Sequence, residues 1–222
     1  MNKAIKLLGL LILFVILSTY SPKINNENKS YFFQIKNIEI IGNYITNTKK
    51  IIEELNYLNN SSLLFLQNKK IENSFKKFEF FLNYEIKKVY PNTIKITVFE
   101  KKPIAINIYG KKKFYLLKNN EKINFIELEL YSNLPIIFGK TNNFSEITDA
   151  LEQVDFNIKK IKSFYYYDIG RWDLTLKNSK IIKLPKYDYL EALANFKKIE
   201  LNENFKKYNN FDYRIKNQLI IN

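Results

Sequence analysis

The chain has 222 residues, 46% hydrophobic and 16% aromatic, which is enough apolar mass for one or two packed domains and too much for a disordered chain. It contains no cysteine and no histidine, so disulfides, thiolate chemistry and the commonest general base and metal ligand are all excluded. The formal net charge is +14, but the lysines are spread through every segment alongside asparagine, isoleucine and tyrosine, which reads as compositional drift and not as a patch built for nucleic acid.

The first predicted element is apolar. Lys3 and Lys6 precede an unbroken hydrophobic run from Leu7 to Leu17, and the segment from Ala4 through Tyr20 has snorkelling lysines at one end and an interfacial tyrosine at the other. No A-x-A-like cleavage site follows, and Pro22 is a poor neighbour for a scissile bond. Residues 1–22 are therefore expected to be a short cytoplasmic stub and a transmembrane signal anchor. The positive-inside rule puts the bulk of the chain on the far side of the membrane. The polar stretch 23–30 is a linker.

Residues 31–102 form the next unit. YFFQIKNIEIIGN is strand-prone and ends at a Gly42-Asn43 turn. TNTKKIIEELNYL predicts a helix with Ile51, Ile52, Leu55 and Leu58 on one face and Thr46 or Thr48 as its cap. NKKIENSFKKF predicts a second helix, with Ile71, Phe75 and Phe78 aligned. YEIKKVY and TIKITVFE read as two strands joined by a turn at Tyr90-Pro91-Asn92. The order strand, helix, helix, strand, strand makes a small α+β unit with helices on one face of a three-stranded sheet. With IEIIGN, SLLFL and YPNTIKITVFEKKPIA in that order, this unit resembles a POTRA domain, and Gly42 and Pro91 are its structural turn residues.

Residues 103–222 hold short β-like stretches: IAINIYG, KKFYLLK, LPIIFGK, KSFYYYD, RWDLTLK and IIKLP. Helices are expected through SEITDALEQVDF and YDYLEALANFKKIEL, the latter with Tyr189, Leu193 and Phe196 on one face. A second mixed α/β domain follows from that pattern, and its sheet is expected to be curved and antiparallel-rich. In RWDLTLK, Trp172, Leu174 and Leu176 alternate with Arg171, Asp173, Thr175 and Lys177, so one face is core and one polar. Of 36 basic residues only Arg171 and Arg214 are arginines. A guanidinium makes forked bonds that an ammonium cannot, so both positions need that geometry. Either they pair with Asp173, Asp212 or a neighbouring loop, or Arg171 also forms a partner surface. The apolar tail QLIIN either packs inward or lies at a sheet edge, where unpaired backbone groups recruit a further strand.

GRWDLTLKNSKIIKLP, a helix and then FDYRIKNQLIIN is similar to the C-terminal domain of the FtsQ/DivIB cell-division proteins. With the anchor and the POTRA-like unit, the resemblance covers nearly the whole chain. One departure lies at LKNNEKI, where the family often has an acidic residue and a glycine and this chain has Asn119 and Asn120.

The resemblance implies a non-enzymatic divisome scaffold at the septum, bitopic in the inner membrane. It implies FtsB-like and FtsL-like partners, with no cofactor, no small-molecule substrate and no nucleic acid. It also maps a docking strand onto Ile215 to Ile221, with Arg171, Ile215, Asn217, Gln218, Leu219, Ile220 and Ile221 as partner-binding residues. Trp172, Asp173, Asp212 and Arg214 are then structural. The alternatives are a POTRA-bearing component of protein translocation or outer-membrane assembly, a cell-wall enzyme with convergent carboxylates, and an anion binder with a lysine stripe around Lys111 to Lys113.

Overall fold

A computed structural model describes residues 3–19, 32–141 and 143–222; the expected linker, with Tyr20 and Tyr31, lies outside them. Helix α1 (Lys3–Thr19) is 17 residues long. At 1.5 Å per residue it is about 26 Å in length, shorter than the roughly 30 Å hydrocarbon core. Among the described residues no helix is long and apolar enough to cross a membrane, so the expected span is not met at its full length. Leu7, Leu10, Phe14 and Leu17 are all more than half exposed, so the helix carries apolar side chains that no other described part of the chain covers. The hydroxyls of Ser18 and Thr19 donate back to the Val15 carbonyl, at 3.0 and 2.7 Å.

The first globular unit has the expected order: β1 (Asn37–Ile41), α2 (Thr48–Glu54), α3 (Asn68–Phe75), β2 (Phe81–Val89) and β3 (Thr93–Glu100). Strand β3 is central, parallel to β1 and antiparallel to β2. Its alternate residues Ile94, Ile96 and Val98 are buried with Ile51, Leu55, Ile71 and Phe75. The α2 cap is Asn47 and not Thr46 or Thr48. Asn47 is extended and its Oδ1 accepts from the Lys49 amide at 2.8 Å, whereas Thr48 is already helical and takes a bond from the Asn43 side chain. Ile52 also turns outward, since it sits about 100° round the helix from buried Ile51. Pro91, after a cis peptide bond, lies in the turn between β2 and β3.

Glu100 at the end of β3 holds the loop that follows β1. Its carboxylate accepts from the amides of Tyr44, Ile45 and Thr46, each at 2.8 Å. Replacing Glu100 with alanine strips charge-assisted acceptors from three amides, and a loss of about 2 kcal/mol is expected in urea unfolding. Glu100→Gln should lose less, because one carbonyl oxygen remains.

The second unit contains β4 (Ala105–Tyr109), β5 (Lys112–Leu116), β6 (Lys122–Asn124), β7 (Ile136–Phe138), α4 (Phe144–Gln153), β8 (Ile161–Tyr167), β9 (Arg171–Leu176), β10 (Ile181–Lys183), α5 (Tyr189–Glu200), β11 (Asn210–Asp212) and β12 (Ile220–Ile221). The strands form one nine-stranded mixed sheet in the order β12-β11-β10-β9-β8-β7-β4-β5-β6. Pairing is parallel at β4–β7, β7–β8 and β10–β11 and antiparallel elsewhere. Helices α4 and α5 are the crossovers of two of the parallel pairs, and both cover the same sheet face. One apolar cluster joins Phe144, Ile147 and Leu151 of α4, Leu193 and Phe196 of α5, and Phe164, Trp172, Leu174 and Phe211 of the sheet. At the Asn119-Asn120 turn, Asn120 takes a left-handed φ of +64°, which asparagine tolerates better than most residues.

The two units share a joint. Phe80 and Ile45 pack with Tyr115, Leu117 and Ile123, and Lys101 pairs with Glu121 at 2.6 Å. Glu79 accepts from the Asn124 amide at 3.0 Å and from its side-chain nitrogen at 2.6 Å, so an acid of the first unit caps the last amide of the β6 edge of the second sheet.

Candidate partner-docking site

A nine-stranded open sheet has two edges. With β6 capped at Asn124 by Glu79, the other is β12, which pairs with β11 in the register Phe211↔Ile221 and Asp212↔Ile220. The Asn222 amide donates to the Asn210 carbonyl at 3.1 Å, and the Asn222 carbonyl accepts from the amides of Asn209 and Asn210 at 3.0 Å. On its other side β12 meets no strand among the described residues.

The edge is shorter than the expected strand over Ile215 to Ile221. Only Ile220 and Ile221 are strand; Ile215, Lys216 and Asn217 form a turn closed by the Gln218 amide donating to the Ile215 carbonyl at 3.2 Å. Asn217 has a φ of +59°, which breaks the extended run. The tail combines both sequence alternatives residue by residue. Leu219 and Ile221 pack against the core, while Ile220 is 45% exposed and Ile215 and Gln218 are exposed on the turn. A groove of about 720 Å³ lies between this turn and α5, lined by Tyr187, Glu191, Asn195, Tyr213, Ile215 and Leu219. Burial pushes the Tyr213 hydroxyl pKa up, and that hydroxyl donates to Asn195 at 2.9 Å.

Next to the edge, the sheet face away from α4 and α5 carries a ladder of directly opposed residues: Tyr165, Asp173, Lys183, Asp212 and Ile220. Lys183 thus stands between two carboxylates, and the two arginines fork onto them. Arg171 Nε lies 3.2 Å from Asp173, with its guanidinium carbon 4.4 Å from the centre of the Tyr167 ring. Arg214 clasps Asp212 through Nε at 2.8 and 2.9 Å, through Nη2 and through its backbone amide at 3.1 Å. Arg171, Asp173, Asp212, Arg214 and Ile220 are therefore brought together, with Trp172 on the opposite face in the core. Gly42 and Pro91 belong to the first unit and take no part. Lys183, Tyr165 and Tyr167 were not singled out from the sequence. The β10–β11 pairing that centres Lys183 joins residues far apart in the chain, and KSFYYYD offers only a tyrosine run as a signal.

The two carboxylates titrate in opposite senses. The Arg214 hydrogen bonds hold Asp212 below the usual aspartate range, whereas burial raises Asp173 despite Arg171. Asp212 thus contributes stability above the ordinary aspartate pKa near 4, and the contribution is lost as pH falls through its lowered native value. Asp173 has the reverse sign: its charge costs stability at neutral pH and is relieved as pH falls through its raised value. Asp212→Asn is expected to be less stable than the wild type at pH 7 by up to about 1 kcal/mol, the pair being partly exposed. In urea titrations the gap should narrow as pH falls below the ordinary aspartate pKa near 4 and close only below the lowered native value, and a constant gap would refute the assignment.

These features define a class: a small α+β unit with two helices over three strands, joined to a larger mixed sheet that ends on an open C-terminal edge. Comparison with known proteins places both units in one family. The model of the FtsQ-type POTRA domain matches residues 33–101, and that of the C-terminal domain of the cell division protein FtsQ/DivIB matches residues 109–214. The chain belongs to the FtsQ/DivIB family. It is 28% identical over 193 residues to the cell division protein FtsQ of Rickettsia typhi, covering 85% of this chain and 72% of that protein. The FtsQ of Rickettsia prowazekii is 28% identical over 197 residues with the same coverage. That of Rhizobium meliloti is 23% identical over 167 residues, 73% of this chain and 53% of the relative. Among the described residues no group of three or more His, Cys, Asp or Glu side chains is placed to hold a metal ion.

Proposed function

We propose that this chain is a non-enzymatic scaffold of the division machinery, held in the inner membrane by its N-terminal segment, with residues 31–102 and 103–222 as two periplasmic domains acting at the septum. The observation that carries the docking reading is the β12 edge, which meets no further strand among the described residues, at the end of a sheet whose opposite edge is capped at Asn124 by Glu79. One edge is capped and one is left able to take a further strand, the arrangement that strand addition requires. The family resemblance supplies the occupant, an FtsB-like segment with an FtsL-like chain beside it. Ile215, Asn217, Gln218, Leu219, Ile220 and Ile221 lie at that edge, with Leu219 and Ile221 fixing it from beneath, while Arg171 stands three strands in on the sheet face that carries Ile220. The match over 109–214 favours this reading over a translocation component. Helix α1 supports the anchor through its apolar side chains, which no other described residues cover and which need an apolar environment, although at 17 residues it falls short of a full span.

The test is binding of the full chain, reconstituted in bilayers, to the periplasmic segment of the FtsB-like protein from the same organism. Ile220→Lys places a charge at the exposed apolar position of the edge and is expected to weaken binding at least about tenfold with an unchanged circular dichroism spectrum. Equal binding by the folded variant would overturn the edge as the docking site.

A further inference from the structure

The POTRA domain has an unpartnered edge of its own. Strand β2 spans nine residues, far longer than β12, and among the described residues pairs with a strand on one side only. Tyr84 and Ile86 face the domain core, while Glu85, Lys87 and Val89 point to the opposite, open face. On that face the opposed residues form rows: Glu39, Lys95 and Lys87 in one, Ile41, Thr97 and Glu85 in the next. Lys87 therefore stands directly opposite Lys95, a like-charge pair that destabilises a sheet, and among the described residues neither it nor Glu85 makes an ion pair. The side of Lys87 away from Lys95 is the open edge.

We infer that this edge pairs with the same edge of a second copy of the chain, antiparallel and in the register centred on Ile86. A two-fold contact between identical strands keeps each face continuous, so directly opposed residues must share a face, and registers change in steps that preserve this alternation. With Ile86 opposite its own copy, Glu85 meets Lys87 of the second copy and Lys87 meets its Glu85. Tyr84 meets Lys88. Moving the centre one residue toward Glu85 places Glu85 against itself, and moving it the other way places Lys87 against itself. Only the Ile86 register supplies both lysines with the carboxylate they lack, and it supplies it twice by symmetry. Lysines on an edge ordinarily repel a generic strand. Here the Glu85-x-Lys87 spacing is self-complementary, so the same charges that exclude other strands select a second copy. The irregularity between Phe81 and Asn83 sets the limit of the pairing at one end and the turn at Tyr90 sets it at the other.

The chain has no cysteine, which gives a clean background for disulfide trapping of the full chain in bilayers. The register opposes Asn83 and Val89 of different copies. A mixture of Asn83→Cys and Val89→Cys chains is expected to yield a disulfide-linked pair on oxidation, well above the yield of either alone. Adding Glu85→Lys or Lys87→Glu to both chains turns two attractions into two repulsions and should cut the yield roughly tenfold, and the two substitutions together should restore it. No excess of the mixed product, or no restoration by the double reversal, would overturn the pairing. Ile220→Lys should leave the trapping unchanged, so this result stands or falls separately from docking at β12.

Discussion

Replacing Trp172 with alanine is expected to cost the second domain about 3–5 kcal/mol, much of the stability of a domain this size. Trp172 is among the largest fully or almost fully buried side chains of the chain, at 2% exposure. Its ring centre lies 4.7 Å from that of Tyr166 and 6.1 Å from those of Phe144 and Phe164, so it binds β8, β9 and α4 into one cluster. A truncation there loses the transfer energy of the indole and leaves a cavity whose walls are the sheet and a helix, neither of which can collapse freely. The consequence reaches the proposed docking face. Trp172 sits between Arg171 and Asp173 in β9, and its carbonyl accepts from the Leu184 amide at 3.0 Å, next to Lys183. Urea unfolding of the second domain is the measurement. A loss under about 1.5 kcal/mol would mean that the cluster repacks and that the indole is not its centre.

Gly42→Val is the second large effect, expected to destabilise the POTRA domain by roughly 3 kcal/mol. Two causes add. The φ of +84° is a conformation that valine adopts only under strain, and a Cβ at this position would lie 2.3 Å from the Val98 carbonyl oxygen, which is backbone of the central strand and cannot step aside. The loop displaced is the one whose amides Glu100 holds, and its Ile45 packs into the joint between the two domains. Gly110 separates the two causes. Its φ is +62° but nothing lies within 4 Å of an added Cβ, so Gly110→Ala should cost only the strain, about 1 kcal/mol. Equal losses at both glycines would remove the close approach from the explanation.

The extent to which these features were legible in the sequence differs by kind. The element order of the POTRA domain could be read from local periodicity, since the alternation of Ile94, Ile96 and Val98 and the spacing of Ile71 and Phe75 are each contained within one element. The cap of α2 could not. Asn47 and its threonine neighbours are all competent acceptors, and only the backbone angle at each position decides which one caps. The single strand over Ile215 to Ile221 is what the family resemblance implies, and the left-handed Asn217 that interrupts it carries no local signal stronger than asparagine itself.

By itself the sequence indicated two successive α+β patterns, most of the core positions of the first, and side chains at Arg171 and Arg214 able to fork onto a carboxylate, because hydrophobic period and side-chain chemistry are properties of neighbouring residues. The tertiary structure alone decided that Lys183 lies between Asp173 and Asp212, that Glu79 of one domain caps the β6 edge of the other, that β12 and β2 remain open among the described residues, and that Lys87 faces Lys95. Each of these depends on which strands meet and in what register. That choice is made by packing across tens of residues, where a shift of one position moves a side chain to the other face and where no local pattern records the partner.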